Sequence, residues 1–147
     1  MITIPKRVYT EMIAHAKKGY PNETCGILAG PPPKADGSAG ALVAEKPNVA
    51  DVFYPMTNTD NASISYFMDP KEQLQVFKDM RQKVLEMRGI FHSHVASEAT
   101  PSQKDVRLAF YPEVSYLIVS LTNLEKPVLR SFHIKEEKVT EEEIKIV

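Results

Sequence analysis

Residues 92–105 concentrate the reactive groups of this chain. His92 and His94 alternate in Phe91-His92-Ser93-His94, and after seven intervening residues Ser102-Gln103-Lys104-Asp105 adds a hydroxyl and a carboxylate; Glu23 stands far upstream. Two imidazole nitrogens and one carboxylate oxygen are three donors that a borderline-soft Zn²⁺ accepts at about 2.0–2.2 Å, leaving a fourth tetrahedral position open to water. That open position separates a catalytic zinc from a structural one. Zinc lowers the pKa of its water to about 7, yet a proton must still be accepted and later delivered to a leaving amine. A carboxylate beside the water can do both. The pattern therefore suits hydrolysis.

Local structure has to bring these groups together. Residues 88 to 94 read as a short buried strand, on which side chains at i and i+2 share a side, so His92 and His94 face one way. Residues 102 to 109 read as one or two helical turns, where positions three apart are neighbours, so Ser102 and Asp105 share a face. If the intervening loop folds back, that face meets the two histidines. Each piece has a simpler reading. Ser-x-x-Asp is also a helix-start signature, alternating histidines on a strand can be hydrogen-bonded core or surface residues, and an acidic residue after Tyr20-Pro21-Asn22 can be a turn residue. The combination is more demanding, because it fixes four residues of three types at three spacings.

At this point the sequence resembles the JAMM or MPN-plus metalloproteases, also called Mov34/MPN/PAD-1 proteins, whose pattern is an upstream Glu, His-x-His, seven residues and Ser-x-x-Asp. The resemblance implies that His92, His94 and Asp105 hold one catalytic Zn²⁺, that Glu23 is the acid/base, and that Ser102 helps hold the tetrahedral intermediate. Glu23-Thr24-Cys25-Gly26-Ile27-Leu28 looks like the family's first strand, so the base would come from a different strand than the ligands. One departure is Val95, where many members carry Pro; it removes a backbone restriction from the following loop and no ligand. The resemblance runs over nearly the whole chain. It implies a compact prokaryotic-type domain acting on the C-terminal tail of ubiquitin-like or sulfur-carrier proteins, as a peptidase or an isopeptidase. No further Cys/His cluster accompanies the motif, which speaks against the two-zinc, polyubiquitin-specific members.

Composition bounds the alternatives. At 147 residues and 43% apolar content, the chain fits a single domain, residues 1–147, with a substantial core. A formal charge of −1 without a basic cluster suggests neither nucleic acid nor anionic membrane as partner. No apolar run approaches the roughly 20 residues needed to cross a bilayer, and the N-terminus has no signal-peptide h-region. The single Cys25 excludes an internal disulfide and fits the reducing cytoplasm. It also excludes a nucleobase deaminase, which needs a Pro-Cys-x-x-Cys pair. A non-catalytic MPN-like scaffold, the remaining alternative, has no chemical need for all five polar positions.

The other elements follow from periodicity. Pro5 opens a helix with Val8, Met12, Ile13 and Ala16 as its core stripe, closed by Gly19 and Pro21. Cys25 to Ala29 is a buried strand, residues 31 to 40 an exposed loop, and strands are expected near 41 to 46 and 51 to 57. Asp69-Pro70-Lys71-Glu72 opens a second helix as a capping box, with Leu74, Phe77, Met80 and Val84 as core face and Gly89 as terminator. Residues 114 to 121 and 127 to 135 are β-rich, and Ile144, Ile146 and Val147 suggest a last strand. The expected fold is mixed α/β (α+β): a curved mixed β-sheet flanked by helices, which the resemblance also implies, in the cytidine-deaminase-like MPN architecture. His15 and His133 read as surface or structural, Cys25 as a small buried hydrophobe, the Glu136-Glu137 and Glu141–Glu143 runs as solvated turns or strand rims, and Asn58 and Asn61 as turn residues rather than substrate contacts.

Overall fold

The computed structural model describes residues 1–32 and 48–147, so the expected strand near 41 to 46 and most of the 31 to 40 loop lie outside the described residues. In chain order the elements are β1 (Ile2–Ile4), α1 (Lys6–Gly19), β2 (Cys25–Gly30), β3 (Asn48–Val49), β4 (Val52–Met56), α2 (Pro70–Gln82), β5 (Glu86–His94), α3 (Gln103–Arg107), β6 (Ser115–Ser120), β7 (Val128–Lys135), β8 (Lys138–Glu142) and β9 (Ile144–Ile146). Six strands form a mixed sheet in the order β4-β2-β5-β6-β7-β8, and β3-β1-β9 form a small parallel one. The mixed α/β reading holds.

Two helices cover opposite faces of the large sheet. The α1 stripe Val8, Met12 and Ala16 packs with Leu28, Phe53, Phe91, Leu117 and Val119. On the other face Cys25, Ile27, Ala29 and Met56 pack with Met80 of α2. Covered on both sides, β2 and β6 are buried at every position, which is why their sequences run apolar without alternation. Phe91 belongs to the α1 face and Ile90 to the other, so the two-residue period carries His92 and His94 onto the α2 face.

The pairing that matters most for the site is β5 with β6, which is parallel. Parallel neighbours cannot be joined by a tight turn, so the chain must leave β5 at its carboxyl end and cross over before re-entering the sheet. That crossover, residues 95–114, carries α3 past the end of β5. The two halves of the motif meet because the strand direction obliges them to.

The second helix departs from expectation in two ways. Leu74 and Val84 are 54% and 69% exposed, and among the four expected core residues only Met80 is buried. The helix is turned by its polar residues: Glu72 accepts hydrogen bonds from the Thr57 N–H and hydroxyl, and Asp79 accepts one from the Tyr54 hydroxyl at 2.6 Å. These contacts direct the 72, 76 and 79–80 positions toward β4, with Val76 and Met80 as the apolar contacts. Asp69 does cap, accepting from the Lys71 N–H, but Glu72 is taken by Thr57 and does not close the box. The helix also stops at Gln82 rather than at Gly89. Gly89 lies inside β5, where a Cβ would come within 2.6 Å of Leu117 Cδ1 and 3.1 Å of the Ser115 carbonyl; close strand packing explains the glycine.

Strands β1, β3 and β8 add to the expected set. Glu136 and Glu137, both at positive φ, form the β7–β8 turn as an exposed pair. Glu142 is not solvated: it accepts from Ser131 Oγ at 2.7 Å, from His133 Nε2 at 2.9 Å and from Ser115 Oγ. The period-two pattern of a partly polar edge strand hid that inward carboxylate.

Candidate metal centre

His92 and His94 lie at the carboxyl end of β5, His92 paired with Cys25 of β2 and Ile118 of β6. Their Nε2 atoms lie 3.1 Å apart. Asp105 Oδ2, arriving on α3, is 3.2 Å from His92 Nε2 and 3.1 Å from His94 Nε2. Three donors bound to one tetrahedral ion at about 2.0 Å would be about 3.3 Å from one another, so the triangle has the size of one face of such a site.

Protonation agrees with the geometry. The His94 Nδ1–H donates to the Glu98 carbonyl at 2.8 Å, which in the neutral ring leaves Nε2 with a bare lone pair toward the other donors. Burial lowers the pKa of His92 and keeps it neutral. Burial works against a charge on His94 too, but its bonds to Asp105 and the Glu98 carbonyl outweigh that and raise it. Burial would likewise raise Asp105, yet hydrogen bonds with both histidines hold it well below the usual carboxylate range. Asp105 thus stays ionised beside the two imidazoles. The set of two imidazoles and one carboxylate fits Zn²⁺.

Asp105 is aimed by the helix it starts. Its Oδ2 accepts the Ser102 N–H at 2.8 Å while Ser102 Oγ accepts the Asp105 N–H at 3.1 Å, a complete capping box. The helix-start reading and the metal reading of Ser-x-x-Asp are therefore compatible: one carboxylate oxygen serves both. Ser102 uses a lone pair for the cap, and its hydroxyl proton stays available to donate. The loop between the two halves, where Val95 stands, is tied by Ser120 Oγ to the Ser97 carbonyl at 2.7 Å, by the Thr100 N–H to the Glu98 carbonyl, and by Arg130 to Thr100 Oγ1. These bonds restrain the loop where proline would otherwise have done so.

Glu23 sits just before β2, 5% exposed. One of its carboxylate oxygens and the histidine nitrogens lie within 4.8 Å of one another, and Oε2 is buried with no hydrogen-bond partner among the described residues. Burial, set against His94, pushes its pKa up to about 7. The structure thus brings together His92, His94, Asp105 and Glu23, with Ser102 bonded to Asp105.

Sequence reasoning missed Tyr66, whose ring stacks on His92 with centroids 4.6 Å apart and planes 25° from parallel. Nothing in its spacing ties it to His92. It also gave Asn58 only a turn role, whereas the Asn58 side chain donates to the Glu23 carbonyl at 3.0 Å. The remaining candidates are structural. His15 bonds the Cys25 carbonyl at 2.9 Å, His133 bonds Glu142, and Asn61 accepts from Asn22. The buried Cys25 thiol, pushed up to about 12 by burial, is inert.

Comparison with known proteins places this arrangement among relatives. A family model described as prokaryotic homologs of the JAB domain matches residues 5–135. The CysO-cysteine peptidase of Mycobacterium tuberculosis is 36% identical over 147 residues, covering 100% of this chain and 92% of that protein. A desampylase of Pyrococcus furiosus is 35% identical over 108 residues, 74% of this chain and 73% of that protein. Among solved structures, protein DSY2949 from Desulfitobacterium hafniense superposes with a TM-score of 0.84 at 45% identity, covering 100% of this chain and 93% of that one.

Proposed function

Because the chain belongs to the family of prokaryotic JAB-domain homologs, within the JAMM/MPN proteins, we propose that it is a zinc-dependent peptidase or isopeptidase of ubiquitin-like or sulfur-carrier proteins. Residues 1–147 act in this reading as one domain, and the setting is cytoplasmic. The observation that carries it is the 3.1–3.2 Å triangle of His92 Nε2, His94 Nε2 and Asp105 Oδ2 with the Glu23 carboxylate beside it. The relatives named CysO-cysteine peptidase and desampylase support the substrate class.

In this reading His92, His94 and Asp105 would hold the ion, and Glu23 would be the acid/base. A zinc ion bound there supplies a Lewis acid and an acidified water. Glu23, one of whose carboxylate oxygens lies within 4.8 Å of the histidine nitrogens and whose pKa burial pushes up to about 7, would accept the water's proton and return it to the leaving amine. The Ser102 hydroxyl donates to the oxygen on which negative charge develops. Ser102→Ala is expected to lose about 1 kcal/mol of stability in a melt, because the Asp105 N–H loses its acceptor. It is expected to lose about 10²–10³-fold in kcat as well. Stability loss with normal turnover would leave Ser102 a cap alone.

The test of the function is hydrolysis of a panel of ubiquitin-like and sulfur-carrier fusions, with and without a strong chelator. We expect chelator-sensitive cleavage after a flexible tail ending in Gly-Gly, since glycine lets a backbone approach the ion closely. Valine at those two positions should reduce cleavage far more than changing charges on the substrate's globular face. Equal cleavage of the valine forms would reject the narrow-channel model, and no cleavage of any fusion would reject the substrate class.

A further inference from the structure

Glu23 lies outside the sheet ladder, because β2 begins only at Cys25. Its buried Oε2 has no hydrogen-bond partner among the described residues, so no polar contact of that oxygen fixes its aim. Its main chain, by contrast, is held on both sides by the segment after β4. The Glu23 N–H donates to the Ala62 carbonyl at 2.8 Å, and the Glu23 carbonyl accepts from Asn58 Nδ2 at 3.0 Å.

Asn58 uses its full hydrogen-bonding capacity. Nδ2 also donates to the Ser65 carbonyl at 2.9 Å, and Oδ1 accepts from the N–H groups of Asp60 at 3.0 Å and Phe67 at 2.9 Å. One planar amide therefore closes the 58–67 excursion and ties it to the residue carrying the base. The same excursion presents Tyr66 against His92, so both sides of the site are referenced to one hydrogen-bonded unit. Asp, Ser or Ala at position 58 could not make both sets of bonds.

We propose that Asn58 is a positioning residue, whose amide clamps the Glu23 main chain and keeps its carboxylate aimed at the His92–His94–Asp105 cluster. The inference rests on the assignment of Glu23 as acid/base. Its effect should fall on the chemical step, since a displacement of about 1 Å from reactive geometry can cost about 10²-fold, while His92, His94 and Asp105, carried on β5 and α3, share no hydrogen bond with Asn58.

The test is a double-mutant cycle on a Gly-Gly-tailed fusion, with zinc content and crystal structures of wild type and Asn58→Ala measured alongside. Asn58→Ala should lower kcat about 10–100-fold at near wild-type KM with full zinc content, the Glu23 carboxylate displaced in the crystal. Added to Glu23→Gln, it should cost less than about 2-fold more, because there is no base left to aim. An equal loss in both backgrounds, or an unmoved Glu23 carboxylate, overturns the proposal. Should Asn58→Ala not fold, Asn58→Asp keeps an acceptor for the Asp60 and Phe67 N–H groups but turns a carboxylate oxygen toward the Glu23 and Ser65 carbonyls, which breaks the clamp by repulsion, and it must show the same non-additivity. If wild type cleaves no fusion, the functional assignment fails, and the position of Glu23 in the two crystal structures still decides the clamp.

Discussion

Glu23→Gln is expected to lower kcat by about 10²–10⁴-fold while zinc binding, fold and substrate affinity stay at the wild-type level. The amide is nearly isosteric with the carboxylate but cannot accept a proton from water. Retention of the fold follows from the surroundings. Oε2 makes no hydrogen bond among the described residues, and the main-chain bonds to Ala62 and Asn58 are untouched by the change. Retention of zinc follows because the three donors of the triangle are unchanged. Steady-state kinetics with metal analysis on the same preparation checks both halves. Wild-type turnover in the glutamine form would remove Glu23 from the mechanism, and loss of metal would make it a ligand instead.

His92→Ala should have the largest effect on the metal. Altering groups that merely orient ligands typically weakens metal binding by about 10–100-fold, so deleting one of three donors should exceed about 10²-fold, with activity lost in parallel. His92 is 1% exposed and stacked on Tyr66, so the variant also loses packing, and a melt must accompany the chelator-competition titration. A folded His92→Ala protein that binds zinc as tightly as wild type would refute the ligand assignment.

That the residues of the candidate site would lie together was largely legible in the sequence because its parts are local. The period of a strand puts His92 and His94 on one face, and the geometry of a helix start puts Ser102 and Asp105 together. What joined them was not legible from those residues alone: it is the parallel β5–β6 pairing and the crossover it requires. The α1 stripe was readable because apolar packing alone orients that helix. In α2 the hydrogen bonds of Glu72 and Asp79 to β4 choose the inward face, and a count of apolar residues places Leu74 and Val84 wrongly. Gly89 reads as a helix terminator in the sequence because the glycine's actual constraint, the approach of Leu117 and Ser115, is long-range. Tyr66 and Asn58 reach the site through tertiary contacts that no spacing encodes.

The donors are mounted on parts of very different permanence. His92 and His94 end a strand enclosed by β2 and β6, at buried positions, whereas Asp105 rides on a five-residue helix with no buried residue. Local openings draw on the least-packed segments, and α3 can fray without disturbing the central sheet. For an ion held by these three donors, the slow step of exchange with solution would then be set by the breathing of one short helix. Amide exchange in residues 103–107 should track the rate of metal release, and the global melting temperature should not.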